Sequence, residues 1–316
     1  MDLLTDAERS LLEVAAVFTD GWTIGAAAQV AGLEESRALE LSEALARHSL
    51  VYLDGTQLGP RSRLLDPAAL LARLAARPDA AEVGRRHAGF YRALAEQADR
   101  PLRGAGPGEW LDRLDAEAGN LAAAVRWYLA RDPGPLPHLF RVLWLFWLQR
   151  DLEGQAGSWV EQFRAAGPLD VRARAELAPV EAVIAVHTGD DAAALAARQR
   201  LAPLLAGIQD PFLRAACQLA MAWSLPIVGD LDGSLREAAV SLQELRGQDE
   251  PVFAAIAAFA AGSLEMGWAA MTMPCATCAR RAAWRSGPAV TGFSRPPLCS
   301  WASWLSCGAG SMRPGR

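Results

Sequence analysis

The dipeptide Gly-Asp recurs about forty residues apart, and this recurrence restricts the fold more than any other feature of the sequence. Gly189-Asp190 and Gly229-Asp230 each separate two stretches with the apolar spacing of an amphipathic helix, and Arg150-Asp151 stands about one interval earlier. A unit of this length, made of a helix pair, buries its apolar face only against neighbouring units. We therefore predict an α-solenoid over residues 133–267.

Three helices are expected before this array. The capping-box spacing of Thr5 and Glu8 predicts a first helix over residues 6–17. Thr23 is placed to cap a second helix that ends at Gly32, and residues 33–48 have the apolar period of a third.

A β-hairpin should follow the three helices. Residues 49–53 are β-prone, Asp54-Gly55 is a tight-turn signal, and residues 62–65 form the returning strand. Three helices and a hairpin in this order are typical of a winged helix. The predicted fold is all-α, with a winged-helix module at 1–77 followed by the α-solenoid of helix pairs.

The charge of the third helix decides between two uses of such a module. A winged helix that reads DNA places this helix in the major groove, where phosphates repel acidic side chains. The helix carries Glu34, Glu35, Glu40 and Glu43 against Arg37 and Arg47. We expect a packing module without direct nucleic-acid binding, and a DNA-binding winged-helix transcription factor with a helical sensor domain is the alternative.

Composition removes several classes of enzyme. The sequence contains no Lys, so a Walker P-loop, a Schiff-base lysine and a Ser-Lys dyad are all excluded. His48, His87, His138 and His187 form no metal-binding pattern, and no Ser stands in a G-x-S-x-G elbow. We expect each His at the surface or at a helix cap, and the acidic pairs Asp190-Asp191 and Asp115 with Glu117 at solvated helix ends. The chain is predicted to be non-enzymatic, with no catalytic, cofactor-binding or metal-binding residue.

Location follows from cysteine usage and hydropathy. Cys217 is the only Cys before residue 268, which fits a reducing cytoplasm. The polar start of the chain has no signal-peptide pattern. The apolar stretches at 143–148 and 252–261 are too short to cross a bilayer. We expect a cytoplasmic protein with no membrane partner.

The chain changes character at Trp268. Residues 268–316 hold four of the five Cys, four of the eleven Trp and six Arg, with no Asp or Glu. The preceding part carries 25 Arg against all 36 acidic residues, a net charge of −11. Folded domains mix both signs and space their apolar residues with a period, so this tail is foreign to the rest.

A shifted reading frame accounts for the tail. If each codon restarts at its third base, residues whose codons begin with T supply a middle T, which always encodes an apolar residue. Trp268, Cys275 and Cys278 then become apolar at positions i, i+7 and i+10, which share one helical face. With high-GC wobble bases the re-read strings resemble tetratricopeptide helices. We predict that 268–316 is an out-of-frame, disordered tail.

Two other uses of the tail stay open. Cys275-x-x-Cys278 with Cys299 and Cys307 supplies the four thiolates of a zinc knuckle, although only the first pair has ligand spacing. The Arg residues would suit nucleic acid or acidic lipid if the frame stands.

The segment Trp110–Trp127 carries a family resemblance. It is similar to the pattern W-L-x-R-L-x-x-E-x-x-N-L-x-A-A-x-x-W of STAND-class regulatory ATPases, the large bacterial transcriptional regulators of LuxR type and their AfsR-like relatives. The matching residues are Trp110, Leu111, Arg113, Leu114, Glu117, Asn120, Leu121, Ala123, Ala124 and Trp127. The run 86–96 and the opening residues 4–9, with Phe18 and Trp22, also look like the family, so the resemblance spans 1–267.

The resemblance implies the winged helix at 1–77, a helical connector at 78–132 and tetratricopeptide-like repeats at 133–267. In the family a nucleotide-binding domain hydrolyses ATP, the winged helix packs on it, and the repeats sense a ligand or partner. No residue of this chain matches the phosphate-binding motifs, so nucleotide binding is not carried over. We expect the C-terminal half of such a regulator, without its nucleotide-binding domain, acting through a protein partner or small-molecule effector on the repeat surface.

Overall fold

A computed structural model of the chain describes residues 3–56, 59–65, 67–104, 106–246, 248 and 250–272, and these are mostly helical, as predicted. The elements in chain order are α1 (Asp6–Val14), α2 (Ile24–Ala31), α3 (Glu35–Arg47), β1 (Val51–Thr56), β2 (Gly59–Leu64), α4 (Ala68–Ala76), α5 (Ala80–Arg103), α6 (Gly108–Ala116), α7 (Ala118–Arg131), α8 (Leu136–Gln149), α9 (Glu153–Ala165), α10 (Val171–Thr188), α11 (Asp191–Leu201), α12 (Pro211–Ser224), α13 (Leu231–Leu245) and α14 (Pro251–Thr272).

These residues form two compact units. Of the described residues, unit 1 holds those up to Leu102 and those from Gly106 to Val142, and unit 2 holds Arg103, Gly104 and those from Leu143 to Thr272. The predicted domain limits after residues 77, 132 and 267 stay a prediction.

Local capping fixes the first helices of unit 1. The Thr5 side chain accepts a hydrogen bond from the Glu8 amide at 3.3 Å while the Glu8 carboxylate accepts from the Thr5 amide, so the predicted capping box is confirmed. The Thr23 hydroxyl caps α2, and Gly32 ends it in the left-handed conformation. The first helix is shorter than predicted, because residues 15–17 tighten into a 3₁₀ turn.

The hairpin is present, but its turn lies further along the chain than predicted. β1 and β2 pair antiparallel, with Asp54 opposite Arg61 and Thr56 opposite Gly59. Asp54-Gly55 therefore belongs to the first strand, and the prediction of a turn there is wrong. The pairing continues three residues beyond Leu53, and Gly59 takes the positive φ of 108° on the far side.

In unit 2 the two Gly-Asp dipeptides each end one helix and begin the next. Gly189 and Gly229 adopt left-handed φ values of 75° and 77° at the helix ends. Asp190 and Asp230 then cap α11 and α13 by accepting hydrogen bonds from backbone amides. At the earlier position Asp151 takes the left-handed φ of 53°, and Leu152 precedes α9 without a side-chain cap. The spacing recurs there, but the capping chemistry does not.

Asp230→Ala is expected to lower the free energy of unfolding by about 1 kcal/mol, because the Gly233 amide loses its acceptor at 2.8 Å. Urea denaturation followed by far-UV circular dichroism would measure it. Asp232→Ala removes an exposed acidic side chain from the first turn of the same helix and should cost less. Equal losses for the two variants would contradict a capping role.

The helices of unit 2 pack mainly on their chain neighbours, with α10 also contacting α12. Trp144, Phe146 and Trp147 on α8 are buried and belong to the core. Small residues allow close contact between helices: Ser234 and Ser241 on α13 donate hydrogen bonds to carbonyl oxygens of α12 at 2.5 and 2.8 Å. Cys217 lies fully buried among alanines and leucines of α10 to α12.

One segment of the described chain, Pro211–Val228, is long and apolar enough to span a membrane by length and composition alone. Two thirds of it (67%) is buried inside the protein, as in a core helix. α14 continues through Trp268 to Thr272. The predictions for Cys275, Cys278, Cys299 and Cys307, and for the rest of the tail from 273 onward, fall on residues outside the described part.

Candidate functional site

The segment that carries the family pattern forms two helices whose junction is buried in unit 1. α6 ends at Ala116 and α7 begins at Ala118, so the helix breaks at Glu117. Glu117 is 5% exposed and Asn120 is fully buried. The expectation of a solvated carboxylate at Glu117 is wrong, because residues from the N-terminal module cover it.

Arg61 of β2 pairs with Glu117 through two parallel hydrogen bonds. Its Nη1 and Nη2 donate to the two carboxylate oxygens at 2.5 and 3.0 Å. The same Nη2 lies 3.3 Å from the carbonyl oxygens of Asp20 and Gly21. Such a fork-to-carboxylate pair fixes both distance and orientation. It ties the hairpin to the start of α7.

Asn120 completes this buried cluster with all of its amide group engaged. Its Oδ1 accepts from the Thr19 amide at 2.8 Å, and its Nδ2 donates to the Gly21 carbonyl at 3.0 Å and to the Glu117 carboxylate at 2.9 Å. An Asn at this depth is stabilising only when satisfied in this way. We call Arg61, Glu117 and Asn120 the polar lock.

Two glycines allow the backbones to meet around the polar lock. The Gly119 amide donates to the Asp20 carboxylate, and a Cβ at Gly119 would collide with that carboxylate. Gly21 has a φ of 78°, and a Cβ there would lie 2.5 Å from the Ser62 carbonyl oxygen. A side chain at Gly21 would push the hairpin backbone away, and one at Gly119 would displace the Asp20 carboxylate that the Gly119 amide binds.

His87 of α5 is buried beside the polar lock. Its Nε2 lies 3.5 Å from Asn120 Oδ1. The centre of its ring lies 5.3 Å from the ring centre of Phe18 and 4.7 Å from that of Tyr91. The expectation of a surface or capping histidine is wrong here, because α5 turns this face into the core. Burial lowers the pKa of His87 to about 4, and burial together with the Glu117 charge raises that of Tyr91.

Lowering the pH from 7 to 5 is expected to reduce the free energy of unfolding by about 2 kcal/mol through His87. Its folded pKa of about 4 lies below the ordinary value of 6.5, so the unfolded chain binds the proton first. This stabilisation is fully present above pH 6.5 and is lost as the pH falls toward 4. Urea titrations at constant ionic strength would measure it.

His87→Gln should remove that part of the pH dependence. Glu82, a carboxylate with a lowered pKa of about 2, should add little to the pH dependence between pH 7 and 5, because its contribution to stability is lost at lower pH. Identical slopes between pH 7 and 5 for both proteins would show that His87 titrates normally.

The two tryptophans of the pattern pack at the edges of these helices. Trp127 lies against α5 at Gly84, where a Cβ would be 2.8 Å from the indole nitrogen. The Arg113 guanidinium lies 4.9 Å from the Trp110 ring centre, a cation–π contact. Every polar residue of the pattern therefore has a packing or pairing role inside unit 1.

Unit 2 carries a cleft lined by three arginines, which we call the basic cleft. It holds about 220 Å³ and is lined by Arg164, Gly167, Pro168, Leu169, Arg174, Leu177, Ala178, Glu181 and Arg200. A second, apolar pocket between Trp144 and Trp223 holds about 20 Å³, enough for about one water molecule. The basic cleft is the larger of the two. No pattern in the sequence indicated this cleft, because its lining residues lie on three helices and a loop.

Across the part of the chain that the structure describes, no three His, Cys, Asp or Glu side chains come together in a group that could hold a metal ion.

No protein-family model and no curated protein matches the chain. A solved structure to which it is similar is a signal transduction ATPase with numerous domains (STAND) with a tetratricopeptide-repeat sensor, from Pyrococcus horikoshii. The two are 12% identical with a TM-score of 0.48 over 84% of this chain and 42% of that protein. The chain thus spans less than half of that protein's length.

Proposed function

We propose that the chain is a non-enzymatic regulatory scaffold of a STAND-type transcriptional regulator. In this proposal residues 1–77 are the winged helix, 78–132 the connector, and 133–267 the tetratricopeptide-like repeats that sense a ligand or protein partner in the cytoplasm. One observation carries the proposal. Glu117 and Asn120, the two polar positions buried in the family pattern, are the residues that hold the connector to the N-terminal module.

The order of elements supports the winged-helix assignment. α1, α2 and α3 are followed directly by the β1–β2 hairpin, and Trp22, which precedes α2, pairs with Ser62 of the hairpin through two backbone hydrogen bonds of 2.9 Å. The hairpin is thus joined directly to the segment that leads into α2.

The charge on α3 favours a packing role over DNA recognition. Its exposed face carries Glu35, Glu40 and Glu43, and Arg37 donates to Glu40 at 2.8 Å instead of being available to phosphate. Arg47 is the other cation on this face. The phosphates that line the major groove of DNA would repel these carboxylates.

Two binding measurements on the full chain test the proposal. We expect no saturable binding of magnesium-ATP by calorimetry and no turnover, since no phosphate-binding motif is present. Saturable ATP binding would overturn the proposal. A gel shift whose affinity falls steeply with salt, and which Arg37→Ala or Arg47→Ala weakens, would instead support the DNA-binding alternative.

The tail is tested separately by sequencing the gene around the codons of Gly267 and Trp268 and beyond the stop. A one-base correction that opens further repeats would assign 268–316 to a shifted frame. An unchanged frame would return zinc and nucleic-acid binding by the tail as hypotheses.

A further inference from the structure

The basic cleft concentrates positive charge on one side of unit 2. Arg164 lies on α9, Arg174 on α10 and Arg200 on α11, and Glu181 of α10 is the single acidic residue among the lining side chains. The cleft therefore has a net charge of +2 before anything binds. A concave surface with excess guanidinium groups attracts small anions.

Glu181 holds two of these arginines in place. Its Oε2 accepts from Nε and Nη2 of Arg200 at 3.2 and 2.6 Å, and its Oε1 lies 3.2 Å from Nε of Arg164. The Glu181 side chain is 9% exposed, so it is a fixed anchor on which guanidinium groups from two other helices converge. Arg164 and Arg200 are already positioned by Glu181, so they lose less conformational entropy when a ligand binds. The cleft is therefore preorganised.

Donors are left over after these contacts. Each guanidinium has five N–H groups. Among the described residues, Arg200 donates two of its N–H groups to Glu181, whereas Arg164 lies within ion-pair distance of Glu181 Oε1 without a hydrogen bond of good geometry. Within the described part of the chain, Arg174 donates only through Nε, which lies 3.3 Å from the Asp170 carbonyl oxygen. Planar guanidinium forks with unused Nη groups match carboxylates, which accept two parallel hydrogen bonds.

One acceptor is also left over. Glu181 Oε1 is buried and accepts no hydrogen bond of acceptable geometry from any residue that the structure describes, although Arg164 is within ion-pair distance. A buried carboxylate oxygen is costly without a donor. A ligand that fits this cleft should therefore bring an O–H or N–H group as well as negative charge.

We propose that the basic cleft binds a small dicarboxylate that carries a hydroxyl or ammonium group. Its two carboxylates match the two excess positive charges of Arg164, Arg174 and Arg200, and its donor reaches Glu181 Oε1. The carbon chain lies along the apolar lining from Leu169 and Leu177. This ligand chemistry rests on the proposed sensing function of the repeats.

Isothermal titration calorimetry on the full chain tests the proposal with four probes. L-malate and L-glutamate carry two carboxylates and a donor, succinate lacks the donor, and L-lactate lacks the second carboxylate. We expect saturable binding of malate, glutamate or both, with succinate and lactate each weaker by about tenfold or more. Sulfate at equal ionic strength that binds as well as malate would mean a nonspecific anion effect and would overturn the proposal.

Variants locate the binding. Arg174→Gln should weaken malate binding by about tenfold or more without unfolding the protein, because Arg174 is exposed and contacts only a backbone oxygen. Arg172→Gln is the matched control, two residues away on α10 with 82% of its side chain exposed and outside the cleft. Equal effects of the two variants would overturn the proposal.

Glu181→Gln tests the donor separately. It should reduce the preference for malate over succinate toward one, a change that a purely structural role for Glu181 would not cause. If no probe gives saturable heat at millimolar concentration, the ligand assignment fails and the scaffold proposal stands. If malate binds but ATP also binds saturably, the cleft stands and the scaffold proposal fails.

Discussion

Glu117→Ala is expected to lower the free energy of unfolding of unit 1 by about 3–5 kcal/mol, because it leaves the Arg61 guanidinium buried without its partner. Asn120 would also lose an acceptor at 2.9 Å. Denaturation with urea, combined with hydrogen exchange resolved to peptides from α6 and α7, would show the loss and where it occurs. Early exchange should appear at the start of α7.

A surface pair provides the control. Glu40→Ala removes the partner of Arg37 in a pair joined by a single hydrogen bond of 2.8 Å, and both side chains of this pair are more than half exposed. It should cost no more than about 0.5 kcal/mol. The double change Arg61→Met with Glu117→Leu removes both charges and should recover much of the stability. If Glu117→Ala costs no more than Glu40→Ala, the polar lock does not hold the module.

Phe253→Ala is expected to destabilise unit 2 by about 3–5 kcal/mol through the cavity that it leaves. Phe253 on α14 is fully buried, with ring centres 4.7 Å from Phe212 and 5.1 Å from Trp144. It therefore joins α14 to α12 and α8. The midpoint of thermal unfolding followed by far-UV circular dichroism would report the loss.

Val240→Ala is the control for that cavity. Val240 on α13 is 40% exposed, so its truncation should change stability by about 0.5 kcal/mol or less. Hydrogen exchange should show the loss of stability in Phe253→Ala at α8, α12 and α14, because Phe253 lies on α14 and its ring contacts the other two helices. A loss of less than about 1 kcal/mol would contradict the packing seen around Phe253.

Local signals in the sequence predicted much of the secondary structure. Thr5, Thr23 and Gly32 act within a few residues of their own positions, so the caps they form could be anticipated from spacing. The same holds for Asp190 and Asp230. Features that depend on distant residues were missed, as at Glu117, which is buried because partners outside its own helix cover it.

The polar lock shows what spacing leaves out. Glu117 and Asn120 could be picked out because they belong to a pattern, but their partner Arg61 lies 56 residues earlier on a strand. His87 has the surroundings of a surface residue in the sequence, next to Arg85 and Arg86, and only the packing of α5 shows that it is buried. The basic cleft is harder still, since three helices contribute its charges.

The reactivity of Cys217 reports local opening of unit 2. Its thiol is fully buried on α12, lies 3.9 Å from the Ala175 carbonyl oxygen of α10, and has a pKa raised by burial. Alkylation of the thiol therefore requires the two helices to separate, and the alkylation rate depends on how often they do so. Ala175 follows Arg174 in the chain, so a ligand bound in the basic cleft should make separation of α10 and α12 rarer. The rate of Cys217 alkylation, measured by peptide mass spectrometry, should therefore fall when the ligand is added.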